Sequence, residues 1–370
     1  MKRTTRINRT ALSLAIAAVS LGAARAEGPT ISGSVDMGYS YNFNGLDTSL
    51  YRAFDANANS LTLQYAELVA TGKTASDVSY RVDVGYGNDA SVVSFFDGSG
   101  DDQINLQQAY LSFACPITKG TVTVGKFVTL HGAEVIEAKD NYNISRGLLF
   151  TNAIPLVHTG VKLDKSFSDG KYTLSGAVVN GWDISQDNNK GKSFMLQTGT
   201  TILPKISVML GGMYGPEAAS PAFSAPGAST EKLGRSLVDA IVKYTPTDKL
   251  TLLANADWGV EEGAGFEATA SDDTTANWAG VALYANYLFS DTLSGTLRYE
   301  NFDDEGSRLT GGALHQSLNS YTATLQYKMK DVTYRLEFRQ DQSTDKVFTD
   351  ADGLADDVQS TLGAQILFSF

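Results

Sequence analysis

Residues 332–339 read Val332-Thr333-Tyr334-Arg335-Leu336-Glu337-Phe338-Arg339, and this octet decides the fold class. Apolar and polar side chains alternate strictly, which is the period of a β-strand whose two faces meet different surroundings. The pattern recurs at 30–41, where Ile31, Val35, Met37, Tyr39 and Tyr41 oppose Ser32, Ser34, Asp36 and Ser40. It recurs at 78–87, where Val78, Tyr80, Val82, Val84 and Tyr86 oppose Ser79, Arg81 and Asp83, and at 293–300, where Leu297 and Tyr299 oppose Thr296, Arg298 and Glu300. Extended along the chain, the reading predicts sixteen strands, near 30–41, 60–71, 77–87, 104–114, 119–127, 155–166, 171–182, 192–203, 205–214, 235–245, 248–259, 277–289, 291–302, 316–329, 331–341 and 357–370. Tight turns at Ala75-Ser76, Pro116-Ile117, Ser168-Asp169-Gly170, Pro204, Pro246-Thr247, Ser290 and Lys330 alternate with long loops.

A soluble sandwich also alternates, so the placement of aromatic residues has to separate it from a membrane barrel. With the first strand running outward, Trp182, Trp258 and Trp278 fall at extracellular strand ends, beside Tyr39, Tyr86 and Tyr299. Tyr172, Tyr244, Tyr287, Phe289, Tyr327, Tyr334, Phe368 and Phe370 fall at the opposite ends. Two aromatic rings at interface height are the girdles that a bilayer selects. The expected fold is therefore an all-β, transmembrane, antiparallel up-and-down β-barrel with short periplasmic turns and long extracellular loops. Two residues resist the parity. A β-bulge near Ala66 would return Glu67 to the lumen, and Lys126 sits at a strand end from which it can leave the membrane.

The chain has 370 residues, 42% hydrophobic and 19% charged. Beyond the N-terminus it has no uninterrupted apolar run of about 18 residues, which excludes a helical membrane protein. Residues 1–10 are basic, 11–24 are apolar, and Ala24-Arg25-Ala26 has the form of a cleavage site, so 1–26 reads as a secretory signal and 27–370 as the barrel. The net charge is −12, and five of the basic residues (Lys2, Arg3, Arg6, Arg9 and Arg25) lie in the signal, so the remainder is more acidic still. That balance argues against a nucleic-acid partner. The single cysteine, Cys115, reads as structural.

No enzyme site stands out. His131, His158 and His315 have no neighbours at metal-ligand spacing, and Asp350-Ala351-Asp352-Gly353 has only the start of a calcium loop. No cofactor is called for. The segment 128–154 departs from strand periodicity and is expected to fold inward and narrow the lumen, with Glu134, Glu137, Asp140 and Arg146 at the constriction. The expected pore wall holds Asp36, Arg81, Asp83, Arg298, Glu300, Arg335, Glu337 and Arg339. Glu134, Glu137 and Asp140 would face Arg298, Arg335 and Arg339 across the narrowest point. A balanced wall behind an acidic mouth at Glu261, Glu262, Glu267, Asp272, Asp273, Asp303, Asp304, Glu305, Asp350, Asp352, Asp356 and Asp357 implies weak cation preference.

Several motifs add a family likeness. Gly132-Ala133-Glu134-Val135-Ile136, Ser145-Arg146, Ile154-Pro155, His158-Thr159-Gly160, Asn180-Gly181-Trp182-Asp183 and Asp187-Asn188-Asn189-Lys190 resemble the OmpL-like family of β-barrel porins. The end of the chain, with Ile366, Phe368 and Phe370 on one parity, resembles the terminal strand that outer-membrane assembly machinery recognises. The resemblance implies a Gram-negative outer-membrane porin for passive diffusion of small hydrophilic solutes. Its surroundings would be membrane lipid and lipopolysaccharide, and analogy with general porins suggests a homotrimer. The alternatives are a surface or adhesion-type barrel with a plugged lumen and an outer-membrane hydrolase.

Overall fold

The computed structural model describes residues 28–100, 103–187, 189–217, 234–262, 275–305 and 316–370. The expected signal at 1–26, together with Glu267, Asp272, Asp273 and His315, lies outside the described residues. In chain order the strands begin with β1 (Thr30–Asn42), β2 (Leu61–Lys73), β3 (Ser79–Tyr86), β4 (Ile104–Ala114), β5 (Thr121–Val128) and β6 (Val157–Phe167). They continue with β7 (Tyr172–Val179), β8 (Ser193–Leu203), β9 (Ile206–Pro216), β10 (Gly234–Thr247), β11 (Leu250–Glu262) and β12 (Thr275–Leu288). The last are β13 (Leu293–Asp304), β14 (Gln316–Met329), β15 (Val332–Ser343), a loop hairpin of β16 (Phe348–Thr349) and β17 (Ala355–Asp356), and β18 (Val358–Ser369). Among the described residues two short α-helices lie in loops, α1 (Asn88–Phe96) between β3 and β4 and α2 (Leu148–Asn152) before β6.

Strands β1 to β15 and β18 pair in sequence and close into one antiparallel barrel of sixteen strands. Closure joins β1 to β18, with Ser34 opposite Ser369 and Asn42 opposite Thr361. Gly33 and Phe370 exchange two backbone hydrogen bonds of 3.0 Å at the seam. A closed wall leaves no edge, so every strand can satisfy its backbone within a bilayer. The alternation separates the faces as expected. On β15, Tyr334, Leu336 and Phe338 are exposed on the outside, while Thr333, Arg335, Glu337, Arg339 and Asp341 are buried within. On β13, Leu297 is 64% exposed and its neighbour Arg298 only 2%. An exposed apolar belt over a polar interior is the surface a bilayer requires.

Local chemistry accounts for the departures. The β1–β2 register slips between Asp36 and Met37, where Tyr65 and then Leu63 stand opposite, so the bulge is at Gln64, two residues before the expected Ala66. The bulge does return Glu67 to the interior and leaves Leu68 outside. Lys126, near the end of β5, is paired with Asp97 in the loop after α1. Strand β7 stops at Val179, short of the expected 182, so Trp182 belongs to the loop that follows.

Because Leu297 lies near the middle of the outer apolar band, Leu297→Arg should destabilise the membrane-inserted barrel by about 2–4 kcal/mol. Equilibrium folding into phosphocholine bilayers against urea measures it, and a loss near zero would place that face in water.

Candidate functional site

Loop residues 129–156, between β5 and β6, run across the lumen as a strap, and side chains of the wall hold its backbone. Near its start, the carboxamide of Gln197 on β8 donates to the Leu130 carbonyl. His131 packs beside Gly211 of β9, and Ala133 N–H donates to Asn255 Oδ1 of β11 at 2.9 Å. Farther along, the strap reaches β15. Arg335 donates to the carbonyls of Ala138 (2.7 Å) and Asn141 (2.8 Å), and Arg339 to the carbonyl of Arg146 (2.8 Å). The Glu337 carboxylate accepts from the N–H groups of Ile144 (2.6 Å) and Ser145 (3.0 Å). Returning past β13, Leu149 N–H donates to Glu300, and Gly147 approaches that carboxylate so closely that a Cβ there would collide with it. On the opposite wall, Gln107 of β4 donates to Glu137.

One ion pair ties strap to wall most directly. Arg298 meets Glu134 at 2.7 Å and Glu300 at 3.1 Å, and also donates to the Ser145 carbonyl. Glu134 in turn accepts from Gly147 N–H at 2.6 Å. Such charge-assisted bonds to backbone satisfy loop N–H and C=O groups that have no ladder of their own. The strap is also clamped from the extracellular side. Arg146 pairs with Asp89 of α1 at 2.7 Å and stacks on Phe54 at 4.8 Å from the ring centroid. Arg52, in the loop after β1, bridges Asp341 and Asp55 at 2.7 and 3.1 Å.

Around these contacts lies an apolar cluster inside the barrel. Phe54, Val93, Ile136, Leu148 and Phe150 from the loops meet Met195, Met213, Leu237, Phe302 and Leu318 from inward strand positions. Trp182 and Trp278 belong to it, edge to face at 6.1 Å. Both were expected in the extracellular girdle, and the structure corrects that. Trp278 is on the inward face of β12, where its indole N–H donates to the Ala153 carbonyl at 3.1 Å. Trp182 lies under the Arg235 guanidinium at 4.9 Å. Trp258, Tyr172, Tyr244 and Phe370 are exposed on the outer face.

The expected constriction also needs correcting. Asp36, Asp83, Arg298, Glu300, Arg335, Glu337 and Arg339 do point inward, yet all are buried. The arginines do not face acids across an aqueous gap. Arg298 touches Glu134, Arg335 binds carbonyls, and Arg339 pairs with Asp341 at 2.8 Å. Glu137 and Arg146 are likewise buried, leaving Asp140 exposed on the strap, beside Lys139. Arg81, bound to Asp83 at 2.8 Å, stays about one-third exposed. Parity alone cannot tell an inward residue that meets water from one that meets a loop.

Open space remains on the turn side of the strap. One chamber of about 450 Å³ lies between Gly132, Glu134 and Asp140 and the wall at Lys171, Ser207 and Lys243. A second, of about 340 Å³, is bounded by Arg81, Tyr110, Thr123 and Lys162, and touches the strap at the same Gly132, Glu134 and Asp140.

Burial sets the titration of the loop groups. His131 is pushed down to about 3 by desolvation and by His158 nearby, so it is neutral at ordinary pH. Desolvation pushes Asp89 up to about 7, against the pull of Arg146, and pushes Asp183 up to about 7 although it accepts from the N–H groups of Leu156 and Val157.

Two expectations follow. Arg298→Ala leaves Glu134 and Glu300 buried without their shared cation, which should weaken strap docking by about 3–5 kcal/mol. Hydrogen exchange reads it at the amides of Gly147 and Leu149, slow in the parent and faster in the variant; unchanged exchange would mean that the ion pair does not hold the strap. Asp89 has a folded value raised to about 7 from 3.8. Its contribution to stability is therefore complete below about pH 4 and is lost as pH rises through about 7. Asp89→Asn should flatten that decline in thermal melts taken from pH 4 to 8, and an equally steep decline would assign it to other groups.

Comparisons with known proteins agree with this architecture. Residues 28–370 match the family described as putative beta-barrel porin-2, OmpL-like. No curated protein matches the chain. Among solved structures, the outer membrane channel DcaP of Acinetobacter baumannii is similar, with 14% identity, a TM-score of 0.62, and coverage of 93% of this chain and 97% of that one. The anion-selective porin from Comamonas acidovorans shares 11% identity at a TM-score of 0.62, covering 92% and 99%. The trimer form of OmpT, an outer membrane protein of Vibrio cholerae, shares 14% identity at a TM-score of 0.60, covering 92% and 99%. At these identities the likeness is one of fold.

Proposed function

The chain belongs to the OmpL-like porin-2 family, and from that membership and the strapped lumen we infer a narrow, non-enzymatic outer-membrane channel for passive diffusion of small hydrophilic solutes. The observation that carries the reading is the strap. It crosses the barrel on side-chain hydrogen bonds from β4, β8, β11, β13 and β15, and it borders chambers of about 450 and 340 Å³, a size for small solutes. Passive passage needs a lined and restricted aqueous route, and the two chambers would form its turn-side part.

Both described histidines are held by structural contacts. His158 is engaged by the Gly181 carbonyl at 3.0 Å and the Thr129 hydroxyl at 3.3 Å, and His131 is buried against Gly211. The proposal includes a cleaved signal at 1–26, lipid and lipopolysaccharide around the outer face, assembly machinery at Phe370, and two further copies in a homotrimer.

Mature protein refolded into planar bilayers should open in discrete, stepwise conductance increments. A barrel that shows the heat-modifiable gel shift of the folded state, yet never conducts, would overturn the channel reading and favour a plugged surface protein.

A further inference from the structure

Accessible charge is divided between the two ends of the barrel. Among the accessible lumen charges, three cations are paired with a neighbouring carboxylate: Arg81 with Asp83 at 2.8 Å, Lys162 with Asp164 at 3.1 Å, and Lys139 with Asp140 at 2.5 Å. What remains at the turn end is positive. Lys243 and Lys328 are exposed on the inward parity of β10 and β14, and Lys171 lines the larger chamber. Among the described residues no carboxylate is paired with any of the three. The turn segments 73–78, 115–120, 165–171, 204–205, 248–249, 289–292 and 328–331 hold eight lysines against five aspartates, so the rim has the same sign as the chamber.

The loop end is negative. Segments 303–305 and 344–357 hold eight carboxylates against Lys346 alone. Of these, Asp304 is buried, whereas Asp303, Glu305 and Asp352 are exposed, as is Glu262 at the end of β11. Lys190 and Lys192 stand at the same end, but Lys192 is paired with Asp187.

We propose that the barrel is a bipolar channel that rectifies ion current, with an acidic extracellular mouth gathering cations and a lysine-lined periplasmic chamber gathering anions. The proposal rests on the channel reading above. When the loop side is positive, cations enter from the mouth that concentrates them and anions enter from the chamber that concentrates them. Carriers then accumulate between the two charged zones. The opposite polarity draws both away and depletes the strap region. Each zone acts over about a Debye length, which is about 10 Å at 0.1 M salt and about 3 Å at 1 M. Rectification should therefore be a low-salt property, and solutes carrying both charges would find a matching zone at each end.

Current–voltage curves of the full mature protein, inserted from one side of a planar bilayer, test this in KCl. At 0.1 M the current with the loop side positive should exceed that at the opposite polarity by about twofold or more, and the ratio should approach one at 1 M, where screening confines each zone. Two exposed-charge variants, Lys171→Gln/Lys243→Gln/Lys328→Gln and Asp303→Asn/Glu305→Gln/Asp352→Asn, should each reduce the ratio while stepwise openings persist. A conducting channel with symmetric curves at 0.1 M overturns the bipolar proposal and leaves the channel reading standing. Rectification undiminished in both variants overturns it as well. Absence of any conductance overturns the channel reading, and this proposal falls with it.

Discussion

Everything in this molecule depends on one constraint: a backbone N–H or C=O inside a bilayer must find its partner within the protein. For a chain whose side chains alternate with period two, the solution is a sheet with no edge, and the seam between β1 and β18 supplies it. Once the sheet is closed, the outer face is committed to lipid, and within the thickness of the membrane the inner face is the one place where charge can be kept. That division explains how a chain that is 19% charged can surround itself with hydrocarbon.

The same constraint acts a second time inside the barrel. A loop of nearly thirty residues crossing the lumen, with only a short helix and one turn of 3₁₀ helix, brings N–H and C=O groups that no ladder satisfies. The wall answers with charged side chains. Arginines at 335 and 339 donate to loop carbonyls, and glutamates at 300 and 337 accept from loop amides. Burying these ions is costly, and the cost is offset by several charge-assisted bonds per side chain together with neighbouring ions of opposite sign. The alternating arginines and glutamates of β13 and β15 are thus the scaffold of the strap rather than a lining presented to water.

This is also where the sequence stopped being legible. Strand existence and parity follow from local periodicity, so sixteen strands and their connections could be read directly from residues such as 332–339. The inward projection of the strap could be anticipated from its broken periodicity. Which charges the strap would cover could not, because Arg298 and Glu134 are 164 positions apart and meet only in the folded barrel. Trp182 and Trp278 failed for a related reason. A tryptophan near a strand end can serve an interface girdle or a packed lumen equally well.

Parity contains a signal that separates those cases. Met195, Met213, Leu237, Trp278, Phe302 and Leu318 all occupy inward positions near the loop-side ends of their strands, where a water-lined wall would carry polar residues. Near the turn-side ends, the inward positions of β10, β13 and β14 hold Lys243, Ser294 and Lys328. An apolar inward third therefore marks where loops dock, and a polar inward third marks where water stays. Formal charge has to be counted after that division, since an arginine covered by a loop polarises a carbonyl whereas a lysine facing a chamber acts on passing ions. By that count only the exposed groups matter to a passing ion, and the exposed lysines Lys243 and Lys328 at the turn end are opposite in sign to the exposed carboxylates Asp303, Glu305 and Asp352 at the loop end.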